Sequence, residues 1–185
     1  MRKDFGVKSY LYPAPVLMLG TYSEEGKADL MNAAWGGIYD SDKIMVSLST
    51  DHKTVKNFEK TKALTISPAV KEVIKECDYL GLVSGKDVDK IAVVNFHPTK
   101  SEKVNAPLFK ELPLTLECEV DSWNTETGIL VAKIINVSID EAILTDGKID
   151  FDKFHLVSYD SMNHVYRLVH DVVGHAFKDG LTLKK

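Results

Sequence analysis

The sequence predicts a mainly β protein with a few helices, built as a barrel of about six antiparallel strands. Three observations carry that prediction. Leu112, Leu114, Leu116, Cys118 and Val120 alternate with Thr115, Glu117 and Glu119, the period of a strand with one face in a core. After a turn over residues 123–128 comes a long β-branched run, 129–139, that should pair antiparallel with it. Between residues 44 and 67, strand-like and helix-like periods follow one another as strand, helix, strand.

The elements follow in order. Pro13 and Pro15 stiffen the approach to 16–22, which reads as a strand and opens a hairpin. Residues 23–27 turn the chain, with Gly26 free to take positive φ, and 28–34 return as the partner strand. Trp35-Gly36-Gly37 ends it. The paired glycines either make a tight turn or let a ligand come close to the main chain. The third strand is 44–49, the helix runs from Thr54 to about Lys60, and 63–67 is a further strand closed by Pro68. Val70, Val73, Ile74 and Cys77 have helical spacing, which predicts a helix over 69–80 with Gly81 as its C-cap. Residues 84–90 read as a turn and a helix start capped by Asp87. A polar stretch, 97–110, carries Pro98 and Pro107 and suits a long surface loop. The tail holds 165–169 and 174–177, a last strand or an extended arm docking on the barrel.

Composition narrows the function. A chain of 185 residues with 44% hydrophobic and 27% charged residues is expected to form one globular domain over 1–185. No apolar run approaches the length a bilayer needs, and no signal-type apolar region follows the N-terminus, so a cytoplasmic protein is expected. Cys77 and Cys118 lack metal-ligand spacing and read as reduced core thiols. A net charge of −4 argues against nucleic-acid or anionic-membrane binding, which leaves a small-molecule partner.

The stretch Ser47-Leu48-Ser49-Thr50-Asp51-His52-Lys53-Thr54 delivers a strand end to a helix start. Free backbone N–H groups and the helix dipole there meet the Lys53 ammonium, the Thr54 hydroxyl and the His52 imidazole, a set suited to a dianionic phosphate. The simpler account is an Asp51 or Thr54 cap on a surface helix with Lys53 in solvent. Other chemistry finds little support. No nucleophile-elbow, zinc-protease, Walker or dinucleotide glycine motif is present. His164, His170 and His175 are spaced by six and five, which stacks them on neither a helix face nor a strand face, so no metal is expected. Asp87 and Asp89 read as capping and solvated carboxylates.

Several stretches taken together resemble the flavin reductase-like, FMN-binding split β-barrel family, in particular its flavoredoxin branch. They are Pro13-x-Pro15-Val16, Gly20-Thr21-Tyr22 with Glu25-Gly26-Lys27, Met31-Asn32-Ala33-Ala34-Trp35-Gly36-Gly37, His52-Lys53-Thr54, the run from Asp78 through Gly85 to Asp87, Asp89 and Lys90, and Leu116-Glu117-Cys118. The resemblance runs nearly end to end. It implies an antiparallel, Greek-key-like split barrel that holds FMN in a homodimer, with the flavin near the subunit boundary. It also implies that Asn32, Ala33, Ala34 and Trp35, with Ser47, Leu48 and Ser49, line the flavin and ribityl chain, largely through backbone groups. His52, Lys53 and Thr54 would take the phosphate, and Lys90 would approach phosphate or flavin. The implied activity is transfer of reducing equivalents from NADH or NADPH through FMN to an acceptor, with no side chain required as acid or base. An electron carrier reduced by a partner protein, or a barrel that binds flavin or another anion without catalysis, are the alternatives. Two departures stand out: Asp29 occupies a position where the resemblance leads one to expect Asn, and Val169-His170 replaces Leu-Gly in the C-terminal strand.

Overall fold

The computed structural model describes residues 1–184. Seven antiparallel strands form its main sheet, in the spatial order Ala28–Ala33, Leu17–Tyr22, Ala63–Pro68, Leu114–Asn124, Ile129–Ile139, Lys43–Ser47, Gly36–Asp40. The two outermost strands of that order are consecutive in the chain and joined only by Ala34 and Trp35. Two residues cannot span an open seven-stranded sheet, so the sheet curls until its edges approach. Register shifts between Val131 and Ala132 and between Ile134 and Asn136 add local bend to the longest pair.

Alternation puts one face of these strands into a shared interior. Leu19, Ile44, Val46, Leu64, Ile66, Cys118 and Leu130 meet there. The helix α1, Lys53–Thr61, closes one end, because Val55 and Phe58 lie on its inward face and are buried against that core. Phe58 stands edge-on to Trp123 with ring centroids 5.3 Å apart. Lys62 then ends the helix in the left-handed region, at φ 56°. A second apolar layer lies outside the sheet, where Cys77 and Leu80 of α2, Ile74–Leu82, and Ile91 of α3, Lys90–Val94, pack on Val16, Met18 and Leu30. Strands Ala14–Pro15, Val157–Asp160 and Val165–Leu168 form a small sheet that ties the two ends of the chain together.

The structure corrects several expectations. The main sheet has seven strands rather than about six, because Gly36-Gly37 is not a turn but opens a strand. A Cβ on Gly36 would meet Leu17 Cδ1 and Met45 O, both at 2.8 Å, so neighbouring strands account for that glycine. Residues 69 and 70 are extended, with the Ala69 N–H donating to Val16 O, and a 3-10 turn over Lys71–Val73 then leads directly into the α-helix. The helix begins at Ile74 and runs through Gly81 to Leu82, so Gly81 is not its cap. It is Asp89, not Asp87, that caps α3, by accepting from the Ala92 N–H at 3.2 Å. The stretch 97–110 contains a hairpin, Pro98–Lys100 with Pro107–Phe109, whose prolines sit at strand ends. That hairpin covers Glu117, and Thr115 pairs its hydroxyl with Ser67 at 2.8 Å, so both are buried rather than solvent-facing. In the tail, Val165–Leu168 is the last strand, and 174–177 are exposed and form none.

Candidate functional site

At the end of the Lys43–Ser47 strand the chain crosses a short turn and enters α1 at His52. No side chain among the described residues caps this helix, so neither Asp51 nor Thr54 plays the capping role that the simpler account gave them. The first-turn N–H groups therefore face a cleft of about 260 Å³, together with the positive end of the helix dipole. The opposite wall is the end of α2 and the loop after it, residues 80–86.

Lysines join the two walls. Lys53 Nζ donates to Gly85 O at 2.9 Å, Lys86 Nζ to Asp51 O at 2.5 Å and Lys90 Nζ to Leu80 O at 3.1 Å. Lys90 is buried at 4% exposure, and that burial lowers its pKa against the opposing pull of Asp29. Asp29 itself lies at the floor, accepting from the Thr54 hydroxyl at 3.2 Å, with Lys53 and Lys90 ammonium groups 3.9 and 4.0 Å away. His52 contributes an oddity: its Nδ1 is buried and has no hydrogen-bond partner among the described residues. An orphaned imidazole nitrogen, open helix amides and three ammonium groups make a donor set that fits a phosphate group.

A second hollow, of about 310 Å³, continues from the first through Asn32, Gly81 and Leu82. Ala33, Ala34, Asp78, Tyr159 and Tyr166 also line it. Tyr166 donates its hydroxyl to Asp78 at 2.6 Å, and burial followed by that carboxylate pushes its phenol above the usual range. Tyr159 and the His164 ring nitrogen are 2.9 Å apart. The α2 backbone comes close here because Gly81 has no side chain; a Cβ on it would stand 3.1 Å from Asn32 Cβ.

The residues singled out from sequence thus fall into three groups. His52, Lys53, Thr54, Lys90 and Asn32 line the first cleft, and Asn32, Ala33 and Ala34 line the second. Trp35, Ser47, Leu48 and Ser49 line neither. The Ser47 and Leu48 N–H groups are spent on Trp35 O and Gly128 O, and Leu48 belongs to the barrel core. Sequence reasoning missed Lys86, Asp78, Tyr159 and Tyr166 as site residues, which reach the site from the loop after α2, from α2 itself and from the tail hairpin, and noticed Asp29 only as a departure. Burial pushes the thiols of Cys77 and Cys118 up to about 12, which leaves neither as a thiolate at neutral pH.

The model of the flavin reductase like domain matches residues 9–160. The chain belongs to this family. It is similar to flavoredoxin of Desulfovibrio vulgaris (Miyazaki F) at 31% identity and a TM-score of 0.93, over 97% of this chain and 100% of that one. Flavoredoxin from Methanosarcina acetivorans is similar at 28% identity and a TM-score of 0.87, over 99% and 100% of the two chains. The FMN-binding protein from Thermus thermophilus shares the fold, with 20% identity, a TM-score of 0.76 and coverage of 95% and 98%. These likenesses place the chain in the flavoredoxin branch and its curled sheet among split barrels. No curated protein matches the sequence. No helix among the described residues is long and apolar enough to cross a membrane.

Proposed function

We propose that the protein binds FMN and moves reducing equivalents from NADH or NADPH to an acceptor. The observation that carries this reading is the uncapped start of α1, facing one cleft with Lys53, Lys86 and Lys90. His52, Lys53 and Thr54 would hold the phosphate, with Lys90 behind them, and Asn32, Ala33 and Ala34 would flank the ring. Ser47 and Leu48, their amides already engaged in the barrel, would add wall rather than donors. Bound FMN supplies the hydride and electron chemistry, and the protein need only orient it, set its potential and gate access. Main-chain donors and lysines in this low-dielectric cleft would stabilise negative charge without reorganising. Proton supply to an acceptor in the second hollow would fall to Tyr159 and His164, already paired. Trp35, Ile38 and Tyr39 stand exposed on or beside the edge strand, which supports a homodimer with flavin near the boundary. Two free, buried cysteines fit a reducing cytoplasmic setting.

A second reading, an electron carrier reduced by a partner protein, draws support from the lack of a dinucleotide glycine motif in the sequence. Anaerobic stopped-flow mixing of the FMN-loaded protein with NADH and with NADPH separates the two. Bleaching of the flavin band on a turnover timescale is expected; a band that stays put gives the carrier reading precedence. Protein purified without flavin bands, whose melting temperature FMN does not raise, would remove the flavin reading altogether.

A further inference from the structure

Asp29 is an unusual presence in a cradle for an anion. It is 3% exposed, and its one hydrogen bond among the described residues comes from Thr54 Oγ1. Neither nearby ammonium group donates to it, since Lys53 and Lys90 give their hydrogen bonds to Gly85 O and Leu80 O. At 3.9 and 4.0 Å they act on it chiefly as charges. The loop above is shaped around this carboxylate: a Cβ at Gly85 would lie 2.2 Å from Asp29 Oδ1. A buried carboxylate with so few hydrogen bonds is held in place by cations, and those are the cations that face the cleft.

We propose that Asp29 is a resident counter-anion of the phosphate cradle, which neutralises Lys53 and Lys90 when no ligand is bound and thereby limits how tightly FMN is held. The inference rests on the FMN reading above. The cleft is lined by three lysines, Lys53, Lys86 and Lys90, and two aspartates, Asp29 and Asp51, a surplus of one positive charge. With asparagine at 29 the surplus of two would match a dianionic phosphate. Replacing Asp29 therefore acts with opposite signs on the two states. Without ligand, two partly or fully buried lysines lose their neutralising partner and the fold weakens. With FMN, a repulsion between carboxylate and phosphate disappears and binding tightens. Riboflavin, which carries no phosphate, senses neither change.

The test compares the wild-type protein with Asp29→Asn by melting temperature without ligand and by fluorescence titration with FMN and with riboflavin. A lower melting temperature, an FMN affinity raised about tenfold and a riboflavin affinity within about twofold are expected, from one unit charge acting across several ångströms at protein-like dielectric. FMN affinity unchanged or weakened overturns the proposal, because a carboxylate that merely positions the lysines would lower stability and affinity together. Asp29→Ser, which removes the same charge with less bulk, repeats the measurement. A variant that folds only with FMN supplied meets the expectation, and one that stays unfolded in FMN counts against it. Failure of the FMN reading itself looks different: the wild-type protein would then bind FMN no better than riboflavin, or bind neither.

Discussion

Asp29 and Glu117 are equally buried, at 3% exposure each, yet their surroundings differ in kind. Glu117 accepts hydrogen bonds from Ser101 Oγ and from Asn136 Nδ2 under the Pro98–Lys100 hairpin, and enters no ion pair among the described residues. Asp29 receives one hydroxyl and stands between two lysines at the floor of an open cleft. One carboxylate is satisfied by neutral donors that belong to the fold; the other is offset by charges that also line the cleft. Neutral partners leave a site no surplus charge with which to draw in an ion. Surplus cations leave it able to accept a further anion.

The largest expected effect tests the closed side. Glu117→Ala removes the acceptor for both donors, leaving Ser101 and Asn136 short of partners beneath the hairpin, and should cost about 2–4 kcal/mol of stability. Urea denaturation measures it, and FMN affinity should change little because the hairpin lies outside the cleft. A loss of FMN binding without a loss of stability would reverse the roles assigned to the two carboxylates.

Lys53→Ala tests the open side and should be somewhat smaller. Loss of a charge-assisted hydrogen bond to phosphate should weaken FMN by about 1.5–3 kcal/mol, with riboflavin affected much less. Its stability cost should be smaller than that of Glu117→Ala, since Lys90 remains beside Asp29 and the hydrogen bond lost goes to a loop carbonyl. Equal losses for FMN and riboflavin would remove Lys53 from the phosphate.

The contrast between these carboxylates was only partly legible in the sequence. Strands announced themselves wherever one face met the core, as with the alternation around Leu116 and Cys118, and α1 did so through Val55 and Phe58. Polar cover was invisible: nothing local to Glu117 says that a hairpin with two prolines folds over it. Thr115 and Glu117, on the face that the period-two pattern leaves to solvent, are buried while Glu119 stays exposed. The helix over 69–80 was legible in its spacing but starts two residues late, with the 3-10 turn at Lys71, because the Ala69 N–H is taken by Val16 O and Val70 bridges to Leu156. At the site, His52, Lys53 and Thr54 could be read because they sit on one strand-to-helix corner. Lys86, Tyr159 and Tyr166 could not, since only the tertiary fold brings the 80–86 loop and the tail hairpin to that corner.

Asp160 sharpens the comparison with the smallest effect, because it combines both kinds of partner. Its side chain is 6% exposed and accepts from Asn163 Nδ2 at 2.9 Å, from Arg167 Nε and Nη2 at 2.8 Å each and from the Tyr12 hydroxyl at 2.9 Å. Those bonds, Asn163 first and then Arg167 and Tyr12, hold its carboxyl well below the usual range. A folded pKa depressed below the unfolded one adds stability that is complete above the ordinary carboxylate range, near about pH 4, and fades as pH falls further. Asp160→Asn should therefore lower the urea midpoint at neutral pH and flatten its decline between about pH 4 and pH 2. Midpoint curves that run parallel for the two proteins would mean that Asp160 titrates as an ordinary carboxylate. Hydrogen bonds from Tyr12 and Asn163 would then resemble those of Glu117 in holding shape rather than charge.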